Sequence, residues 1–314
     1  MSVKHFFKQQ FRNRRNNLRQ VDYERKNDIL YKRHGGEKAL YIIMFIIFTL
    51  FVISYIFPFL WVLMNAFKTN AEFATDFVSF PKEWTFKNFI TAFSYKSVET
   101  KNFTIFQMLG MSLLISFLGT FATVFVSSCA AYVVAKYEFP GRNLIFSVVI
   151  FTMIIPIVGS LPSQIQLMKN LGLNGTILGL VFLYSGGFGM NFMLLYSFFK
   201  NLSWTYVEAA KIDGASDTRI FFSIIMPMAK GPIVAISVIT LIGLWNDYMT
   251  PMIYLPDQPT IAVGLKYLSD ALESNGNYTI LFATIILTIL PIVIIFSLFS
   301  KTIMENTSVG GLKG

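Results

Sequence analysis

Cysteine and histidine are almost missing from this sequence of 314 residues, which holds one cysteine, Cys129, and two histidines, His5 and His34. A lone thiol excludes an intramolecular disulfide framework and any metal site built from several cysteines. Both histidines fall in the charged first 39 residues, so the rest of the chain cannot assemble a His-based triad or an imidazole metal site. Charge is scarce as well: Asp, Glu, Lys and Arg make up 14% of the chain, against about 25% in an ordinary soluble domain. No Gly-x4-Gly-Lys-Ser/Thr phosphate loop occurs, so the chain is not expected to hydrolyse ATP. Ser185-Gly186-Gly187 lies inside an apolar run and reads as transmembrane glycine. Low-complexity tracts and short-period repeats are missing too.

What is present is apolar. Hydrophobic residues make up 54% of the chain, and Phe alone occurs 33 times. A soluble fold of this length could not cover so much apolar surface, and the same numbers exclude disorder. The charge that remains is uneven. Residues 1–39 hold 11 Lys/Arg and 4 Asp/Glu, which is +7 of the net +9. A basic tail suits nucleic acid or an anionic membrane surface, and the apolar body decides for the membrane.

Six charge-free runs follow: Tyr41–Met64, Ile105–Ala135, Leu144–Met168, Asn170–Phe199, Gly231–Asn246 and Tyr278–Ser300. A bilayer-spanning helix needs about 20 apolar residues. Five runs clear that length, and the run from Gly231 reaches it by continuing past Asp247 to about Thr250. The expectation is an all-α polytopic membrane protein with six transmembrane helices. Its first run begins after a long charged segment, unlike a signal peptide, and is read as a retained span. With the N-terminus inside, inside segments carry 19 Lys/Arg and outside loops carry 7. The positive-inside rule then places both termini in the cytoplasm. The divisions are a cytoplasmic basic segment (1–39), a first transmembrane helix (40–64), an extracellular loop with room for short ordered elements (65–104), a five-helix core (105–301) and a cytoplasmic tail (302–314).

Within the core, Gly119, Thr123, Ser127, Ala131 and Ala135 recur every four residues, a stripe that lets helix backbones approach in lipid. Pro156, Pro162, Gly186, Gly187 and Gly189 interrupt the third and fourth runs. Such breaks suit a translocation path, and ordinary kinks account for them equally well. Asp247 is the only acid in the spans and lies near an outer end, where a helix-end charge or cap competes with a gate or solute contact. Trp245 beside it suits an interface anchor.

The inside loop 200–230 carries the most specific pattern. It reads Thr205-Tyr-Val-Glu208-Ala209-Ala210-Lys-Ile-Asp213-Gly214-Ala215-Ser216-Asp217, then Ile224-Ile-Met226-Pro227. Thr205 and Glu208 have capping-box spacing, Gly214 can end the first helix in a left-handed turn, and Ser216 or Asp217 can cap the next. Pro227 and Pro232 bound the entry to span five. This stretch resembles the EAA loop of importer-type ATP-binding-cassette permeases: Glu-Ala-Ala, three residues, Gly, nine residues, Ile-x-Leu-Pro. Glu208, Ala209, Ala210, Gly214, Ile224 and Pro227 match, and Met226 stands where Leu is usual.

The resemblance implies the type I ABC importer permease fold, with the loop forming a coupling helix that docks on a cytoplasmic ATPase. Glu208, Ala209, Ala210, Asp213, Gly214 and Pro227 would carry that coupling. The segment Trp245-Asn246-Asp247-Tyr248, Thr260-Ile-Ala-Val-Gly264-Leu, and Gly310-Gly311-Leu312-Lys313-Gly314 are similar to the sugar-importing branch, to the smaller, MalG-like permease of the maltose transporter. By that resemblance Trp245, Asn246 and Asp247 line the translocation path, and Pro256, Asp257, Gln258 and Pro259 form a loop reaching the solute-binding protein. The implied function is uptake of a carbohydrate, an oligosaccharide. Implied partners are a second, MalF-like permease subunit, two ABC ATPase subunits, an extracellular solute-binding protein and membrane lipid, with no nucleic acid. The chain itself is expected to hold no cofactor and no metal, and to be non-catalytic. ATP and Mg would sit on the ATPase subunits of a bacterial plasma membrane complex. A permease for a non-sugar solute stays open, and an ion-coupled secondary transporter lacks intramembrane His and paired acids. A membrane enzyme lacks any nucleophile or metal constellation.

Overall fold

The structure is a computed structural model that describes residues 35–96, 100–154 and 159–307. All regular structure among these residues is helical. The chain divides into two units, Met1–Trp61 and Val62–Gly314. In the first, helix α1 (Gly35–Ala66) begins, and every residue from Ala39 to Leu60 is exposed. Unbroken apolar exposure over that length suits acyl chains as surroundings.

The second unit is built around α4 (Ile105–Lys136), preceded by α2 (Asn70–Thr75) and α3 (Lys87–Ser94). A reciprocal capping box starts α4: the Gln107 amide donates to Thr104 Oγ1 at 3.3 Å, and the Thr104 amide donates to Gln107 Oε1 at 2.9 Å. After α4 come α5 (Arg142–Ile154), α6 (Leu161–Asn170), α7 (Ile177–Tyr184) and α8 (Met190–Asn201). The loop helices α9 (Thr205–Ile212) and α10 (Asp217–Ile220) lead through a π turn (Phe221–Ile225) and one further turn (Met226–Met228) into α11 (Lys230–Asn246). Helices α12 (Met249–Tyr254), α13 (Ile261–Asn275) and α14 (Tyr278–Thr307) complete the unit.

The small-residue stripe packs as read. Gly119, Ser127, Ala131 and Ala135 are buried, and the Thr123 hydroxyl donates to the Tyr184 carbonyl at 2.7 Å. A Cβ at Gly119 would lie 2.7 Å from Leu244 Cδ1 and 3.0 Å from Tyr184 Cδ2. Glycine here sets how closely α4 approaches α7 and α11.

Of the six expected spans, α1, α4 and α14 are continuous helices long and apolar enough to cross a membrane, and α11 with the helix leading into it forms a bent fourth. The third run is divided between α5 and α6, and Pro162 sits in the first turn of α6, where a missing N–H leaves no bond unmade. Pro156 lies outside the described residues. The fourth run is divided between α7 and α8 by Ser185–Gly189. Hydropathy counts apolar residues and is blind to backbone breaks, which explains the difference.

Two further differences concern the chain after α11. The fifth run was expected to continue to about Thr250, but α11 stops at Asn246. The Asp247 carboxylate, just past α11, accepts from the Thr250 amide at 3.0 Å in the first turn of α12, whose cap position Tyr248 holds. The stretch 251–277 between the last two apolar runs contains α13. Ile261, Gly264 and Leu268 are buried on one face of it, and Lys266 pairs with Asp270 at 2.6 Å on the other. The Ile261 amide donates to Ser112 Oγ at 2.8 Å, tying α13 to α4.

Candidate functional site

The 200–230 loop folds as two short helices held against the end of α4. Val207 and Ala210 of α9 are buried, while Glu208, Ala209, Lys211 and Asp213 are exposed. Burying Val207 contributes about 2 kcal/mol. The outward face is partly apolar: Tyr206 is 50% exposed and Ile212 is 86% exposed. With Ala209 they form a stripe at three-residue spacing, flanked by Glu208, Lys211 and Asp213. Attention to the Glu-Ala-Ala run missed Tyr206 and Ile212, although their spacing was visible in the sequence.

The start of α9 differs from the expected capping box. Trp204 holds the cap position without a side-chain bond, and Thr205 lies inside the helix. The Ser203 hydroxyl accepts from the Thr205 amide at 3.3 Å and donates to its hydroxyl at 3.0 Å. Glu208 uses its backbone amide, which donates to the Trp204 carbonyl at 3.1 Å, and its carboxylate is free to face outward. The end of α9 is as read. Gly214 takes φ +77°. Its amide donates to Lys211 O at 3.0 Å and the Ala215 amide donates to Ala210 O at 2.9 Å, the paired bonds of a Schellman turn. Ser216 caps α10, its Oγ accepting from the Arg219 amide at 3.4 Å.

The end of α4 clasps this loop. Lys136 Nζ donates to the Leu202 carbonyl and lies 5.9 Å from the centre of the Trp204 ring. The Tyr137 hydroxyl donates to Asp217 Oδ1 at 3.0 Å, and Lys211 Nζ reaches the same oxygen at 3.1 Å. Tyr137 packs edge-on against Trp204, with ring centres 5.9 Å apart. Burial first, then the neighbouring Tyr132 hydroxyl and the Asp217 carboxylate, push the Tyr137 phenol above the usual tyrosine range. Phe199, Phe221 and Ile225 complete the buried cluster beneath, with Tyr132 and Val134 of α4.

Beyond α10 the chain turns sharply. The Met226 amide donates to Phe221 O across the π turn, and Pro227 has no N–H to give Ser223. The helix leading in and α11 meet at 77°. Pro227 therefore marks the joint, and Pro232 lies in the first turn of α11.

The other predicted residues lie from the end of α11 onward, away from the 200–230 loop in sequence. Trp245 is 1% exposed, and its Nε1 donates to the Thr288 carbonyl at 3.3 Å, so it is a core contact with α14 in place of the expected interface anchor. Nothing in the sequence told which face of α11 meets α14. Asn246 is exposed and its amide donates back to Ile242 O at 2.8 Å. Asp247 is half-buried and accepts from the Tyr184 hydroxyl at 2.9 Å, which ties α11 to α7. Pro256 and Asp257 are exposed, Gln258 is half-buried and Pro259 is buried. Asp257 pairs with Lys101 at 3.4 Å. Among the described residues no group of three or more His, Cys, Asp or Glu could hold a metal ion.

Residues 123–305 match the model of the family described as binding-protein-dependent transport system inner membrane component. The chain is 32% identical over 257 residues to the diacetylchitobiose uptake system permease protein of Streptomyces coelicolor, covering 81% of this chain and 82% of that one. It is 28% identical over 290 residues to an arabinooligosaccharides transport system permease protein of Bacillus subtilis, covering 90% and 99%. Its fold is similar, with a TM-score of 0.71, to a chain in the crystal structure of a bacterial ABC transporter involved in importing the acidic polysaccharide alginate. That likeness covers 86% of this chain and 98% of the other at 20% identity, and concerns the fold alone.

Proposed function

The chain belongs to the family of binding-protein-dependent transport system inner membrane components, and from that premise we propose that it is one permease subunit of an ATP-driven carbohydrate importer. Members of the family are transport subunits and not enzymes. Diacetylchitobiose and arabinooligosaccharides, named for two relatives, are short sugar chains, and an oligosaccharide is the solute class proposed here.

One observation carries the coupling role: α9 buries Val207 and Ala210 and turns Glu208, Ala209 and a nearly bare Ile212 outward. A short helix that is clasped on one side and part apolar on the other is built to be covered by protein. The proposed occupant is a cytoplasmic ATPase subunit, with Glu208, Ala209, Ala210, Asp213, Gly214 and Pro227 shaping the surface and its joint. ATP and Mg belong to that partner. The complex then contains this chain, a second MalF-like permease, two ATPase subunits and an extracellular binding protein, in a bacterial plasma membrane with both termini of this chain cytoplasmic. Exposed Pro256 and Asp257 support a contact with the binding protein, while buried Pro259 would shape the loop behind them. Asn246 and Asp247 are proposed to border the translocation path, and Trp245 to hold them from the core.

The test is ATP hydrolysis by the co-expressed complex in nanodiscs, with and without binding protein loaded with sugar. Stimulation by the loaded protein is expected, with a loss of about thirtyfold in Glu208→Gln, the size of a single interface hot spot. Hydrolysis indifferent to both would overturn the reading.

A further inference from the structure

Helix α3 is amphipathic the wrong way round for water. It buries Asn88 at 8% exposure and Ala92 at 0%, and it exposes Ile90 at 68% and Phe93 at 42%. Just before it, Phe80, Trp84 and Phe86 are 75%, 61% and 66% exposed. An apolar face turned outward while an amide is turned inward calls for an apolar medium outside.

The height of this face is fixed by two spans. Asn88 Nδ2 donates to Ala66 O, the last residue of α1, at 2.8 Å and to Lys68 O, two residues past it, at 2.7 Å. The Thr279 hydroxyl donates to Asn88 Oδ1 at 3.4 Å, in the first turn of α14. The Thr85 amide adds a bond to Phe67 O at 2.9 Å. Asn88 thus sits where one apolar run ends and another begins, which is the level of a bilayer surface. The Phe67 ring, 5.3 Å from both Trp84 and Phe86, steadies the aromatic group there. Charged side chains at the same place are Lys82, Glu83 and Lys87, all exposed, and Lys68, which is buried and donates from Nζ to the Asp76 carbonyl at 2.7 Å.

We propose that residues 80–93 lie in the membrane interface, with Phe80, Trp84, Phe86, Ile90 and Phe93 in the headgroup–acyl boundary of a phospholipid leaflet and Lys82 and Lys87 against lipid phosphates. Aromatic rings and snorkelling lysines at the end of a span are what that boundary selects. The exposed charges of Lys82, Glu83 and Lys87 beside the rings favour headgroups over the apolar face of a second membrane subunit at the same depth. The leaflet is the outer one in the orientation proposed above, and the depth is independent of that orientation.

The test uses the full chain with its co-purifying subunits in nanodiscs of phosphatidylethanolamine and phosphatidylglycerol. Spin labels are placed one at a time on cysteines replacing Trp84, Ile90 and Phe93, in a Cys129→Ser background. A label at Asp257, whose side chain is 79% exposed, serves as the aqueous reference with no binding protein added, and spin-labelled lipids as the depth scale. The expected result is strong collision with oxygen, weak collision with a nickel chelate, and a depth of about 5–10 Å. Nickel access equal to that at Asp257 would overturn the proposal. So would shielding from both reagents, which would mean that protein covers the face. If the cysteine variants fail to assemble, quenching by brominated lipids gives the same reading: native protein should lose more tryptophan fluorescence than Trp84→Phe, and equal loss would count against it.

Discussion

Gly214 distinguishes two reasons for a glycine after the Glu-Ala-Ala run. Nothing lies within 4 Å of where its Cβ would stand, so the subunit itself leaves room for a side chain. Its φ of +77° is the constraint, and a residue with a Cβ costs roughly 1–2 kcal/mol there. Asn tolerates that conformation better than Ala, and Pro cannot adopt it. Binding-protein-stimulated ATPase activity should therefore fall in the order Gly, Gly214→Asn, Gly214→Ala, Gly214→Pro. If the ATPase needs bare backbone at this point, Asn will be worse than Ala, and the order of those two variants decides. The turn was legible because glycine and serine at these positions have few uses. Thr205 was misread because the spacing that suggests a cap does not tell that Ser203 and the clasped Trp204 begin the helix one residue earlier.

Between helices, the clasp at the end of α4 is the contact that joins the loop to the bundle. Tyr137→Phe and Asp217→Asn should each weaken the thermal stability of the purified complex, and the double variant should lose less than their sum. A coupling of about 1 kcal/mol in that cycle is expected for one hydrogen bond to a carboxylate at a partly exposed site. Strict additivity would mean that the pair does not interact in the assembled protein. The sequence offered no sign of this contact, since Tyr137 and Asp217 lie 80 residues apart. The small-residue stripe, by contrast, was visible as a repeat of four. Gly119→Val should cost about 1–3 kcal/mol through overpacking against Leu244 and Tyr184. Its melting temperature should drop well below that of Gly119→Ala, which needs the end of Leu244 to move and the Tyr184 ring to give by a few tenths of an ångström.

For the whole molecule, the asymmetry of 19 against 7 Lys/Arg makes a prediction that the helices alone do not. In a Cys129→Ser background expressed without the ATPase subunits, a cysteine at Ile212 should react with a membrane-impermeant maleimide only in inside-out vesicles. A cysteine at Asp257 should react in intact cells. The reverse pattern would invert the topology. Fold class was legible at this scale because apolar runs such as Ile105–Ala135 leave few alternatives in 314 residues. The interrupted third and fourth runs and helix α13 were not, because their form depends on contacts such as Ser112 with Ile261 that no local pattern encodes.

The joint at Ala229 has a mechanical consequence. Two rods meeting at 77° are close to a right angle. A thrust delivered along the helix leading in has little component along the axis of α11. Under the coupling proposed above, the joint would act as a crank and not as a piston: a push on the loop would sweep α11 sideways and leave its height in the bilayer nearly unchanged. Probes on α11 should report lateral displacement between nucleotide states at constant depth.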